Sequence, residues 1–239
     1  MAGTIVYIDG LNFHAGAVRG TPEAKWVDFE ELSRRLLPAG DTLVRVKYFT
    51  APVSAQVAED PGSVRRHNYL LRAIDANPLV EVHKGKFIAP NEWRSIAVDR
   101  RWADRTRPAS WPALGKLLDR KQSKSRAQRR WKVRVQLPQE KHTDVALASH
   151  LLADLLSPSP PCAQAILVSN DSDLMPAVKM AVSLGNVVGV VSPMAVVAKD
   201  LEKVASWSWP MRRELPGQCQ MPDIVPLKKG HVERPKAWK

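Results

Sequence analysis

Two runs in the second half of the chain, AILVS (165–169) and NVVGVVS (186–192), are apolar almost without interruption and only a few residues long. A strand covered on one face alternates polar and apolar residues. A run that is apolar throughout belongs to a strand buried on both faces, as in a parallel sheet sandwiched between helices. Between the two runs lies a helical pattern, 174–184, that Gly185 terminates. A third β-rich run, TIVYI (4–8), opens the chain. FEELSRRLL (29–37) carries Phe29, Leu32 and Leu36 at helical spacing, and TLVRVKYF (42–49) alternates as a strand does. Residues 62–76 read as a helix ending before Asn77-Pro78, and VEVHKGKF (80–87) reads as one strand. VRVQL (133–137) is a further strand, and DVALASHLLADLL (144–156) an amphipathic helix. This alternation predicts an α/β protein: a three-layer α/β/α sandwich, Rossmann-like, with a mainly parallel central sheet.

Two segments break the alternation. Residues 94–131 are basic and poor in aliphatic side chains, which predicts an insertion into a domain spanning 1–209. Residues 210–239 carry five prolines and predict an extended tail, wrapped over the domain or partly disordered. The formal charge is +12, and residues 100–134 hold 13 Lys/Arg against only Asp104 and Asp119. A field that concentrated draws polyanions, and nucleic acid is the first candidate. Arg129, Arg130 and Lys132 are the predicted backbone contacts. Trp102, Trp111 and Trp131 either stack on unpaired bases or pack the insertion onto the domain. No apolar run reaches the roughly 18–20 residues of a membrane span, and the first ten residues lack the pattern of a signal peptide. With only Cys162 and Cys219, far apart, the expectation is a reduced cytoplasmic protein without a zinc site.

The chemistry-bearing residues sit where predicted strands end. Asp9 follows TIVYI, and Asp171 and Asp173 follow AILVSN; Asp144 opens its helix with Glu140 just before it. Ligands of open parallel sheets bind beyond the carboxyl ends of the strands. Each acid also has a local explanation: Asp9 as a turn residue, Asp144 as a helix-start carboxylate, Asp171 as a cap. Capping alone does not require acids after two separate buried strands. Converging carboxylates repel unless a cation neutralises them, and an all-oxygen set suits Mg²⁺ or Mn²⁺. Asp9, Asp171, Asp144 and Asp173 are therefore the predicted metal ligands and catalytic groups, with Glu140 beside them. Asn12 and Ser169 are expected to orient waters or a phosphate oxygen.

The segments IVYIDGLNFHAGAVRGT, VKYFTAPV, VEVHKGKF, EKHTDVALASHLLADLL and ILVSNDSDLMPAVKMAVSLGNVVGVVSP resemble, in that order, the NYN domain family of the PIN-like nuclease superfamily. The resemblance covers roughly 3–205. It implies an acidic pocket that holds Mg²⁺ or Mn²⁺ and hydrolyses phosphodiester bonds of RNA, the expected single-stranded partner. The matched positions are Asp9 and Asn12, then Glu140 and Asp144, then Ser169, Asp171 and Asp173. Pairing into a homodimer and control by a protein regulator or antitoxin belong to the same expectation. Behind this metal-dependent ribonuclease stand an inactive RNA-binding module and a nucleotide-sugar transferase using the Asp-x-Asp pair. A pyridine-ring hydroxylase comes last. Some proteins of the resembled family have that activity, although no flavin or haem motif accompanies it here.

Overall fold

The computed structural model describes residues 3–52, 58, 60–88, 90–95, 132–136, 139–157 and 162–238. They form two compact units, one of residues 1–87 with 140–239 and one of residues 88–139. In the larger unit, β1 (Gly3–Asp9), β2 (Thr42–Thr50), β3 (Val80–Lys84), β8 (Gln164–Val168), β9 (Val187–Ser192) and β10 (Trp207–Pro210) build one sheet, and the short β4 (Lys86–Ile88) and β7 (Gln139–Lys141) stand outside it. Its order is β3-β2-β1-β8-β9-β10, and every neighbouring pair is parallel. The chain winds outward in both directions from the centre, so the reversal of strand order falls between β1 and β8.

Both faces of the sheet are covered, which explains the unbroken apolar runs. On one face, Val6, Ile8, Val46, Tyr48, Ile166 and Val168 meet α2 (Phe29–Leu36) and α3 (Pro61–Ile74). On the other, Ile5, Tyr7, Phe49, Leu167 and Val190 meet α4 (Thr143–Leu155) and α5 (Met175–Ser183), with Leu201 of the short α6 (Lys199–Glu202). Successive strand residues point to opposite faces. Leu147, Leu151 and Leu155 lie one helical turn apart along α4 and are all buried. The architecture is thus the three-layer α/β/α fold with a parallel central sheet that the apolar patterning predicts.

Three local expectations need correction. VEVHKGKF is not one strand: β3 stops at Lys84 and β4 begins afresh at Lys86. Between them, Gly85 packs so closely that a Cβ would lie 2.4 Å from Thr143 Oγ1 and 2.7 Å from Lys141 O. Only glycine fits such an approach. The predicted strand 133–137 is β6 (Lys132–Gln136), which pairs antiparallel with β5 (Asn91–Ser95) in the smaller unit instead of joining the central sheet. Finally, WSWP forms β10, an edge strand with no aliphatic residue to announce it. The stacked rings of Trp207 and Trp209 take the place of aliphatic side chains there, with centroids 4.2 Å apart.

The tail is wrapped over the domain. Its β11 (Ile224–Pro226) and β12 (His231–Glu233) form an antiparallel hairpin, and Met221, Val225, Val232 and Trp238 are buried in the first core cluster. Trp26 fastens it: Nε1 donates to Pro222 O at 2.9 Å, and Trp26 O accepts from Met221 N at 3.0 Å. Arg129, Arg130, Trp102, Trp111 and Trp131 lie outside the described residues, and Lys132 is placed only as the first residue of β6. Among the described residues, no helix is long and apolar enough to cross a membrane.

Gly189 on β9 lies under the Trp207 ring, and a Cβ there would sit 2.0 Å from its atoms. Gly189→Ala is expected to push that ring off the sheet and destabilise the fold by about 1–3 kcal/mol, as overpacking does. Urea denaturation measures it. An unchanged midpoint would show that Trp207 does not pack as described.

Candidate active site

The first acid is placed by the central pair of strands. Asp9 is the last residue of β1 and is 97% buried, and Asp171 follows three residues after β8, which pairs directly with β1. Asp144 arrives from α4, behind His142, whose backbone is left-handed (φ 76°), unlike any other non-glycine among the described residues. One carboxylate oxygen each from Asp9, Asp144 and Asp171 lies within 4.8 Å of the other two. Like charges at that separation do not gather without a hydrogen-bonding scaffold.

That scaffold is polar and continuous. Asp9 accepts from Asn12 N at 3.0 Å and from Ser169 Oγ at 2.8 Å. Ser169 Oγ in turn accepts from Asp171 N at 3.1 Å, and Asp171 accepts from Asp173 N at 2.9 Å. Asn12 Oδ1 accepts from Asn170 N at 2.9 Å, and Asn170 Oδ1 from Ala198 N at 2.6 Å. Asp9 and Asp171 therefore cap their helical turns and converge at the same time, Asp9 capping α1 (Gly10–Phe13). Asn12 and Ser169 are engaged in holding the carboxylates. Asn170 ties the β8 turn to the segment before α6, a role that sequence spacing does not reveal.

Burial, offset by the bonds from Asn12 and Ser169, raises the Asp9 carboxyl above its ordinary range, and Asp144 and Asp171 raise it further. Asp144 is raised first by burial, then by Asp171 and Asp173; the residue is exposed as a whole, but its carboxylate sits in a crowded hollow. Glu140 on β7 is raised by burial and by the charges of Asp9 and Asp144. The Thr143 hydroxyl lies near it and holds it down in part, yet Glu140 Oε1 is buried without a well-formed hydrogen bond among the described residues. Asp173 is exposed and stands outside the group of three. The structure thus brings together Asp9, Asp144 and Asp171, with Glu140 charge-coupled to them and Asp173 at the rim.

Beside the acids lies a cavity of about 420 Å³. Gly10 lines it, as do Phe13, Phe29, Tyr48 and Trp238, with Lys25, Arg66, His14 and His67 among its polar groups. The Phe29 and Tyr48 rings stack at 4.5 Å, and Phe13 meets Phe29 edge-on at 5.5 Å. Tyr48 connects the two places: burial first, then the charges of Asp9 and Glu140, push its phenol up to about 12 against a hydrogen bond with Thr50. No sequence signal marks this cavity, because its walls come from five separate segments.

No family model matches the chain. It is similar to the 6-hydroxy-3-succinoylpyridine 3-monooxygenase HspA of Pseudomonas putida (strain DSM 28022 / S16), at 29% identity over 264 aligned residues that cover 98% of this chain and 75% of that protein. A crystal structure of a Vibrio parahaemolyticus protein of unknown function superposes with a TM-score of 0.44 and 14% identity, over 88% of this chain and 93% of that one. A relative that is an enzyme, matched across nearly the whole chain, supports enzyme status. Its name is that of an oxidoreductase, which overturns the expectation of a metal-dependent ribonuclease. The physical reason is plain. Three converging carboxylates specify affinity for a cation and leave open which bond is made or broken.

Because Asp144 is raised in the folded state, folding binds a proton there between the unfolded and folded pKa values. The associated stability is present below the unfolded pKa and is lost as pH rises through the folded one. Asp144→Asn is expected to remove that loss, so the variant melts above wild type at pH 7 and the gain vanishes at acid pH. Thermal melts from pH 4 to 7 in low salt check the sign. A variant less stable at neutral pH would mean that the helix-start benefit of Asp144 outweighs the repulsion.

Proposed function

We propose that the protein is a monooxygenase that hydroxylates a pyridine ring bearing an oxygen substituent. The observation that carries this is the similarity to a pyridine monooxygenase along 98% of the chain. The resemblance to the NYN family fits the same reading, since ring hydroxylation occurs in that family. The reaction places one oxygen atom of O₂ on the ring and releases the other as water, with two electrons from an external reductant.

The residues fit a divalent cation. Asp9, Asp144 and Asp171 offer only oxygen donors within 4.8 Å of one another, the set that suits Mg²⁺ or Mn²⁺. Burial first, and the neighbouring acids second, raise the carboxyls of Asp9 and Asp144, and a cation would offset both costs. An ion held by these three residues would supply a Lewis acid able to stabilise negative charge on a hydroxypyridine oxygen. The chain's own groups do the rest. Asp9 is held by Asn12 and Ser169 in one orientation. Glu140, half-buried and with its carboxyl raised first by burial, stands beside them. The Tyr48 phenol stays protonated at the cavity wall.

The test is oxygen uptake by purified protein with 6-hydroxy-3-succinoylpyridine and NADH, NADPH or reduced flavin, run in ¹⁸O₂. The expected result is one ¹⁸O on the pyridine ring of the product and consumption of O₂ and reductant that depends on the pyridine. Oxygen uptake that never depends on the pyridine would overturn the reading. For the metal, EDTA followed by Mn²⁺ is expected to lower and then restore the melting temperature of wild type. Asp171→Asn should abolish that response and cut turnover by at least about tenfold. A melting temperature indifferent to both treatments would remove the ion from the account.

A further inference from the structure

We propose that the cavity walled by Phe13, Phe29, Tyr48 and Trp238 binds the ring of a planar heteroaromatic carboxylate, with Lys25 pairing the carboxylate and His67 hydrogen-bonding the ring's oxygen substituent. The proposal rests on the hydroxylase reading for the identity of the ring and deepens it by naming the pocket and its specificity groups. Five observations carry it.

The walls are aromatic and already arranged in contact, with Phe29 stacked on Tyr48 and Phe13 edge-on to Phe29. Flat rings are accommodated by such offset and perpendicular neighbours. The volume, about 420 Å³, falls in the range of small-molecule pockets. The charge is cationic: Arg66 is neutralised by Asp60 at 2.7 Å, while Lys25 has no carboxylate partner among the described residues. A carboxylated ligand supplies the missing counter-charge.

His67 provides the most specific sign. Its Nε2 is buried and has no hydrogen-bond partner among the described residues. Burial, with the neighbouring His14, holds the imidazole down to about 4, so it is neutral at physiological pH. A neutral imidazole with an unmet nitrogen is suited to a hydroxyl or ring-carbonyl oxygen, depending on its tautomer.

The cavity adjoins the turn that carries Asp9, although none of the three acids lines it. Gly10 follows Asp9 directly and lines the cavity, and a Cβ there would come within 2.8 Å of Tyr48 Oη and 2.6 Å of Phe49 O. The absent side chain therefore leaves the close packing of cavity wall and acid-bearing turn possible.

Equilibrium binding of 6-hydroxypyridine-3-carboxylate, measured by calorimetry under anaerobic conditions without reductant, tests the assignment apart from turnover. Wild type should bind saturably. Lys25→Met should weaken this ligand about tenfold and leave uncharged 2-hydroxypyridine unaffected. His67→Phe, with His67→Gln as the milder replacement, should weaken both ligands, and Lys179→Met, far along α5, should weaken neither; melting curves confirm that each variant is folded. No saturable binding to wild type, or an affinity indifferent to both Lys25 and His67, overturns the proposal. If the ring binds as expected but is never oxygenated, the pocket stands and the hydroxylase reading falls. If wild type oxygenates its substrate and both variants keep its Kd and KM, the pocket assignment falls and the reaction stands.

Discussion

The parallel pairing of β1 with β8 is the contact on which the candidate site depends. Ile8 stands beside Val168 in that register, so Asp9 and the Ser169–Asp171 turn leave the sheet side by side. The strand order reverses at this pair, so the helices that follow diverge to opposite faces and leave a crevice at the strand ends. A slip of one residue would turn Asp9 to the opposite face and bury an unpaired carboxylate in the core. The unbroken apolar runs on both strands make such a slip costly only through their flanking polar residues. Ser169 and Asn12, each bonded across from one strand end to the other, supply that constraint.

The acidic centre stands in electrostatic tension with the fold around it. Asp9 is buried, Asp144 and Asp171 lie beside it, and the bonds from Asn12 and Ser169 only partly offset the cost. Such an arrangement is kept where stability yields to function. It nevertheless describes a capacity, the binding of positive charge, that hydrolases and oxygenases share. What separates those chemistries is the shape and chemistry of the neighbouring cavity. Here that cavity is aromatic, with an imidazole nitrogen and an ammonium that lack partners among the described residues.

Much of the framework was legible because it rests on local periodicity. β8 and β9 read as doubly buried strands from Ala165–Val168 and Val187–Val191, and α4 from Leu147, Leu151 and Leu155. The acids were legible because strand ends are where parallel sheets present side chains. β10 was not, since its packing derives from tryptophans over Gly189 and has no alternating aliphatic signature. The break at Gly85 was equally hidden: its cause is Thr143, 58 positions away in sequence. The reaction type was misjudged from the acids because a donor set identifies a cation more readily than a substrate.

By itself the sequence determined the layers, the parallel sheet and the acids waiting at its strand ends, because burial patterns and turn residues act over a few neighbouring positions. Only the tertiary structure decided that Asp9, Asp144 and Asp171 share one hollow, and that Phe13, Phe29, Tyr48, His67 and Trp238 enclose a cavity beside it. Those residues come from β1's following turn, α2, β2, α3 and the end of the tail. No local rule connects them; the packing of two layers and a wrapped terminus on one sheet does.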